Sequence, residues 1–75
     1  MRSGTIERWI QAKQSGYIEP DNSTERVYFQ ASSVCNPEAT RYLAAGLRVE
    51  YLPAVNKSGP TAYHVRVLPD FGEAA

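Results

Sequence analysis

Seventy-five residues allow one domain at most, and a chain that short hides only about 60% of the surface its unfolded form exposes, so its core is small. Eight Lys and Arg balance eight Asp and Glu, which excludes a binder driven by bulk positive charge, since phosphate neutralisation supplies most non-specific nucleic-acid affinity; a local basic stripe is still compatible with neutrality. The single cysteine, Cys35, excludes an internal disulfide and fits a reducing compartment, and neither Met1-Arg2-Ser3-Gly4 nor any later stretch has the apolar length of a signal peptide or a membrane span, so a cytoplasmic protein is expected.

Ser3 to Gln11 reads as a first strand, with Thr5, Ile6, Trp9 and Ile10 as good strand formers. Strict alternation fails between Glu7 and Trp9, and a bulge there would let neighbouring side chains share a face. Ala12 to Ser15 is a turn. The second strand spans Gly16 to Glu19, with Ile18 inward and Tyr17 outward. Pro20-Asp21-Asn22-Ser23 is a second turn, because Pro fixes φ and Asp and Asn bond to nearby backbone. The third strand is Arg26 to Gln30 or Ala31, with Val27 and Phe29 on one face and Tyr28 and Gln30 on the other.

Ala31 to Ala45 lacks a sustained helical period and reads as a long connection. Ser32-Ser33 opens a short helical turn in it, and Asn36 caps another over Pro37 to Thr40, with Pro at its first position. Leu43 tucks beneath, and Gly46 ends the connection. Leu47 to Pro53 is the fourth strand, with Leu47, Val49 and Tyr51 opposing Arg48, Glu50 and Leu52; it ends or becomes an edge at Pro53, which has no N–H to donate. Asn56 to Pro60 is a hairpin loop. Ala62 to Leu68 is the fifth strand, with Tyr63, Val65 and Val67 opposing Ala62, His64 and Arg66, and Pro69 stops it. The expected domain covers residues 3–69, followed by a flexible C-terminal tail at residues 70–75. Five short strands without a long helix predict an all-β barrel or sandwich.

Little in the chain points to catalysis. His64 has no Cys or His partner at metal-ligand spacing and reads as a surface or hydrogen-bonding residue. Cys35 has no evident base beside it. Ser32 and Ser33 are turn residues, since no Ser-His-Asp set assembles around a single histidine. Gly59-Pro60 is a loop, with no glycine-rich nucleotide motif. No metal or cofactor is expected, and the chain is not read as an enzyme. Tyr17 and Tyr28 stand out instead. Both fall on the outward face of neighbouring strands, beside basic residues, where phenol rings can stack on bases; the alternative is two ordinary surface aromatics.

Five pieces in order carry a resemblance. Gly4-Thr5-Ile6 is similar to the opening strand of the bacterial cold-shock protein family. Lys13-Gln14-Ser15-Gly16-Tyr17-Ile18 stands where that family has Lys-Gly-Phe-Gly-Phe-Ile, and Val27-Tyr28-Phe29-Gln30 where it has Val-Phe-Val-His. Gly46-Leu47-Arg48-Val49-Glu50-Tyr51 resembles its Gly-x-x-Val-x-Phe, and Gly59-Pro60-Thr61-Ala62, followed by Val65, its Gly-Pro-x-Ala ending. The resemblance covers Ser3 to Leu68 and implies a small five-stranded antiparallel barrel of the OB type that binds single-stranded RNA or DNA. It also implies a role in melting RNA structure and in transcriptional or translational adjustment to stress.

The implied binding residues are Arg8, Trp9, Lys13, Tyr17, Tyr28, Gln30 and Lys57. Trp9 reads equally as half-buried core or as stacking platform, because the bulge decides its face. Arg8 stands where the family has Trp, Ser15 where it has Phe, Gln30 where it has His and Ala31 where it has Phe; Glu7 replaces a Lys and Gln14 a Gly. Each stacked base contributes roughly 1–3 kcal/mol, so binding weaker than that of a typical family member is expected, with Arg8 offsetting part of the loss. The alternative is a barrel that has lost its strand-binding face and contacts a protein partner or another copy of itself. No membrane contact is expected.

Overall fold

Alternating apolar and polar residues become strands here because each strand can bury one row of side chains against the others. The computed structural model describes residues 1–36, 41 and 43–68. In it, β1 (Arg2–Ile10), β2 (Ser15–Pro20), β3 (Val27–Gln30), β4 (Arg48–Asn56) and β5 (Gly59–Val67) close into a barrel in the order β1-β2-β3-β5-β4. Four of the pairings are antiparallel. The fifth, which closes the barrel, is a short parallel contact between Tyr28 and Thr61, where the Thr61 hydroxyl donates to the Tyr28 carbonyl oxygen at 3.1 Å. Ile6, Ile18, Phe29, Val49, Tyr51 and Val65 fill the interior, almost fully buried. Leu43 is buried beneath the barrel, as expected. Short 3-10 turns occupy Gln11–Lys13 and Ala31–Ser33. The expected helical turn at Pro37 to Thr40, the stop at Pro69 and the tail at residues 70–75 lie outside the described residues.

The first strand carries its bulge where alternation fails. Ile6 pairs with Ile18 and Arg8 with Tyr17, so Glu7 is the extra residue. The consequence is that Glu7 and Arg8 are both exposed, one after the other, while Ile6 stays in the core.

The fourth and fifth strands are longer than expected and their faces differ. β4 runs through Pro53 to Asn56, because its pairing with β1 extends only to Arg2 and Tyr51 and the missing N–H of Pro53 falls on an open edge. The loop proper is Lys57-Ser58, with Gly59 at φ 116° starting β5. The expected row of Tyr63, Val65 and Val67 is broken by a second bulge. Glu50 pairs with Arg66 but Leu52 with Tyr63, so Tyr51 faces two residues. His64 absorbs the extra step at φ 51°. Ala62 and Val65 are therefore both buried, and Tyr63 and His64 both exposed.

Gly16 sits at a crossing. It pairs with Trp9 on one side and Phe29 on the other, and those two rings stack across it with centroids 5.5 Å apart and planes 27° apart. A Cβ at Gly16 would collide with the Arg8 carbonyl oxygen and stand 3.1 Å from the Trp9 ring and 3.2 Å from the Phe29 ring. On the far side, Arg48 ties the β2–β3 connection to the sheet. Its two terminal nitrogens meet the two Asp21 oxygens at 2.8 and 2.7 Å, and Nη1 also donates to Thr5 Oγ1 at 2.9 Å. That pairing holds the Asp21 carboxyl below its usual range and the Arg48 guanidinium above its own.

Two outcomes are expected. Gly16→Ala should lower stability by about 1–3 kcal/mol, the cost of overpacking against backbone that cannot retreat, measured by urea denaturation. Asp21 has a depressed folded pKa, so its contribution is present above the unfolded value near 3.8 and is lost as pH falls through the folded value. Asp21→Asn should therefore lower the denaturation midpoint at neutral pH, and the gap to wild type should close as pH drops below that value. A gap that persists unchanged in acid would show that the carboxylate charge contributes nothing.

Candidate nucleic-acid interface

The β1 bulge and the bare Cα of Gly16 sort the neighbouring side chains into two rows. Trp9, Gly16 and Phe29 make the inner row. One residue on, Arg8, Tyr17 and Tyr28 are paired across β1, β2 and β3 and make the outer row. Successive side chains on a strand point to opposite faces, so one row cannot shift without the other.

Tyr17 and Tyr28 are half-buried and adjoin, with ring centroids 5.7 Å apart and planes at 64°. That edge-to-face arrangement is a favourable one for two aromatic quadrupoles. Arg26, just before β3, lays its guanidinium carbon 5.5 Å from the Tyr17 ring centroid. Glu7 holds it there, Oε1 at 3.2 Å from Nε. The Gln30 side-chain amide donates to the Tyr28 hydroxyl at 3.2 Å. Tyr17, Arg26, Tyr28 and Gln30 form one wall of an open groove of about 540 Å³, and Asn56, Ser58 and Pro60 of the β4–β5 hairpin form the other. The Asn56 Oδ1 accepts from the Ser58 N–H at 2.8 Å.

The expected site residues are therefore not all together. Tyr17, Tyr28 and Gln30 share the groove, and Arg8 stands in register beside Tyr17. Trp9 lies on the inner row, half-buried and packed against the core, with its indole N–H donating to Gln11 Oε1 at 2.9 Å. Lys13, at the end of the first 3-10 turn, and Lys57, at the hairpin tip, are exposed but do not line the groove. The hairpin wall of Asn56, Ser58 and Pro60 was not expected from the sequence. The hairpin itself is legible in Asn-Lys-Ser-Gly, but its place against β3 depends on the Tyr28–Thr61 contact, and no local pattern marks that.

Elsewhere, Cys35 Sγ lies 3.9 Å from His64 Nδ1, both exposed, beside Ser32, Ser33 and Tyr63. Among the described residues no three His, Cys, Asp or Glu side chains gather as metal ligands, and no helix is long and apolar enough to cross a membrane.

The family model of the 'Cold-shock' DNA-binding domain matches residues 2–68. No curated protein matches the chain. Among solved structures, drosophila Unr CSD456 superposes on 92% of this chain with a TM-score of 0.74 at 20% identity, a likeness of fold alone; the chain spans 27% of that one's length. A family match across the whole barrel, on a chain whose strands close in the order described, means that this chain belongs to the cold-shock domain family, a nucleic-acid-binding and non-catalytic fold.

Proposed function

We propose that the chain binds single-stranded RNA or DNA by stacking unpaired bases on Tyr17 and Tyr28. The observation that carries this reading is the outer row itself, two adjoining phenol rings that line an open groove, with Arg8 in register beside Tyr17. Arg8 and Arg26 supply guanidinium planes that stack on bases or pair with phosphate. Gln30 and Asn56 offer amides at the groove walls for base edges. Lys57 supplies a phosphate contact from the hairpin tip, and Lys13 another from the turn after β1. The outer row holds two aromatic rings, while Ser15, Gln30 and Ala31 offer no ring, so binding is weaker than on a fuller aromatic row.

A module that holds unpaired strands and not duplex shifts a melting equilibrium by mass action. That is the sense in which the chain acts as an RNA chaperone and, by exposing or covering transcripts, adjusts transcription or translation under stress. The single exposed thiol suits a cytoplasmic setting. No membrane contact, cofactor or catalytic step enters the mechanism.

A second reading has its own observation. The β4–β5 hairpin exposes Val55 at 81%, Tyr63 at 48% and Leu52 at 41% of their surface, with Leu52 and Tyr63 directly paired. Such a surface suits contact with a protein or another copy of the chain.

The two readings separate in one titration, following the anisotropy of labelled heptamers of dT and mixed RNA at low salt. Saturable binding that weakens with salt supports the first; no response at high micromolar protein, with mass rising with concentration in sedimentation, supports the second. Under the first, Tyr28→Ala and Tyr17→Ala should each weaken binding by about 1–3 kcal/mol. Lys57→Ala should weaken it evenly across sequences and reduce the salt slope by about 0.7, one phosphate contact on a single strand.

A further inference from the structure

The β1 bulge does something a closed barrel does not require. It leaves two consecutive charged side chains, Glu7 and Arg8, on the outer surface. Arg8 keeps its place opposite Tyr17. Glu7 reaches Arg26 and grips it at two points, Nε to Oε1 at 3.2 Å and Nη2 to Oε2 at 3.3 Å. The guanidinium held this way lies over the Tyr17 ring. One face of the Tyr17 platform is thus already covered by a flat cation, and that cation already has its anion. A base approaching from that side must displace Arg26 or stack on it. A phosphate that takes the paired Nε–Nη2 edge of the guanidinium must displace the Glu7 carboxylate. Both side chains are substantially exposed, 56% for Arg26 and 38% for Glu7, so the pair is weak enough to exchange.

We propose that Glu7 is a built-in competitor for the nucleic-acid strand: it parks Arg26 over Tyr17 in the space a nucleotide takes, and a bound strand replaces the Glu7 carboxylate with a phosphate on Arg26. This rests on the single-strand reading and deepens it. Affinity is then limited by a removable carboxylate, and not only by the rings that are missing.

The test uses the full chain as wild type, Glu7→Gln, Arg26→Gln and the double variant, titrated against a labelled dT heptamer at several salt concentrations. Glu7→Gln should bind about two- to fivefold tighter at low salt, the range a surface ion pair controls. Its salt slope should change little, because Arg26 meets the same phosphate in both proteins, whereas Arg26→Gln should flatten the slope by about 0.7, one phosphate contact on a single strand. In the Arg26→Gln background the same Glu7 change should have little effect, because there is no guanidinium left to release. Equal tightening in both backgrounds would show Glu7 to be only a local negative charge and overturn the exchange. Four equal affinities would also overturn it, while leaving the single-strand reading intact. Absence of binding by all four at every salt would remove both. Urea denaturation of each variant checks that the barrel is unchanged, since neither side chain is part of the core.

Discussion

The stacking of Trp9 on Phe29 across Gly16 is the contact on which the binding face depends. Two large rings from β1 and β3 can meet only if the strand between them carries nothing at that position, and Gly16 is that position. An aromatic pair contributes roughly 0.5–1.5 kcal/mol beyond the area it buries, a useful fraction of the stability of so small a domain. The contact also sets orientation. With Trp9, Gly16 and Phe29 turned inward, their neighbours Arg8, Tyr17 and Tyr28 must turn outward. The outer row is a by-product of how the inner row packs, so the platform is as rigid as the core beneath it.

Two arginine–carboxylate pairs on the surface show how similar chemistry serves different ends. Arg48 meets Asp21 through two short bonds and donates a third to Thr5. The Asp21 backbone N–H is also fixed, donating to the Ser3 carbonyl at 3.1 Å. That arginine is bound to two elements at once, and releasing it undoes a connection between the β2–β3 loop and β1. Arg26 and Glu7 meet at longer distances with no third partner among the described residues, and what lies beneath the guanidinium is the Tyr17 ring. The first pair holds structure together. The second can open without the barrel noticing, which is the property an exchangeable site requires.

Much of this was legible in the sequence, and the failures have physical causes. Local signals marked the turn at Pro20-Asp21-Asn22-Ser23, a hairpin loop within Asn56 to Pro60, a short helical turn near Ser32-Ser33, the inward set of Ile18, Val27 and Phe29, and the shared face of Val49 and Tyr51. The break near Glu7 announced its bulge because a charged pair stands where alternation demands one apolar residue. The break at His64 did not, because Tyr63-His64-Val65 alternates well enough on paper; only the burial of both Ala62 and Val65 reveals the extra residue. The extension of β4 past Pro53 was hidden because proline's cost depends on whether a partner strand lies on the N–H side. Trp9 could not be assigned a face until the exact step of the bulge was known. The hairpin wall of the groove depends on a parallel contact between distant strands, which leaves no periodic trace.

Neutral net charge looked like evidence against a nucleic-acid binder, but it averages over the whole surface. Around the tyrosine row the local set is Arg8, Arg26 and Glu7, while Asp21 faces Arg48 and Glu50 faces Arg66 at 3.9 Å on other parts of the barrel. Screening cuts exposed charges off from one another beyond about 8–10 Å at ordinary ionic strength, so carboxylates engaged elsewhere subtract little from the potential a strand meets at the groove. Stacking adds an attraction that salt hardly touches. Neutrality of the whole chain is therefore compatible with the proposed hold on a strand through two rings and two guanidinium groups, and in that proposal the charge that matters most is Glu7, which the first bulge sets beside them.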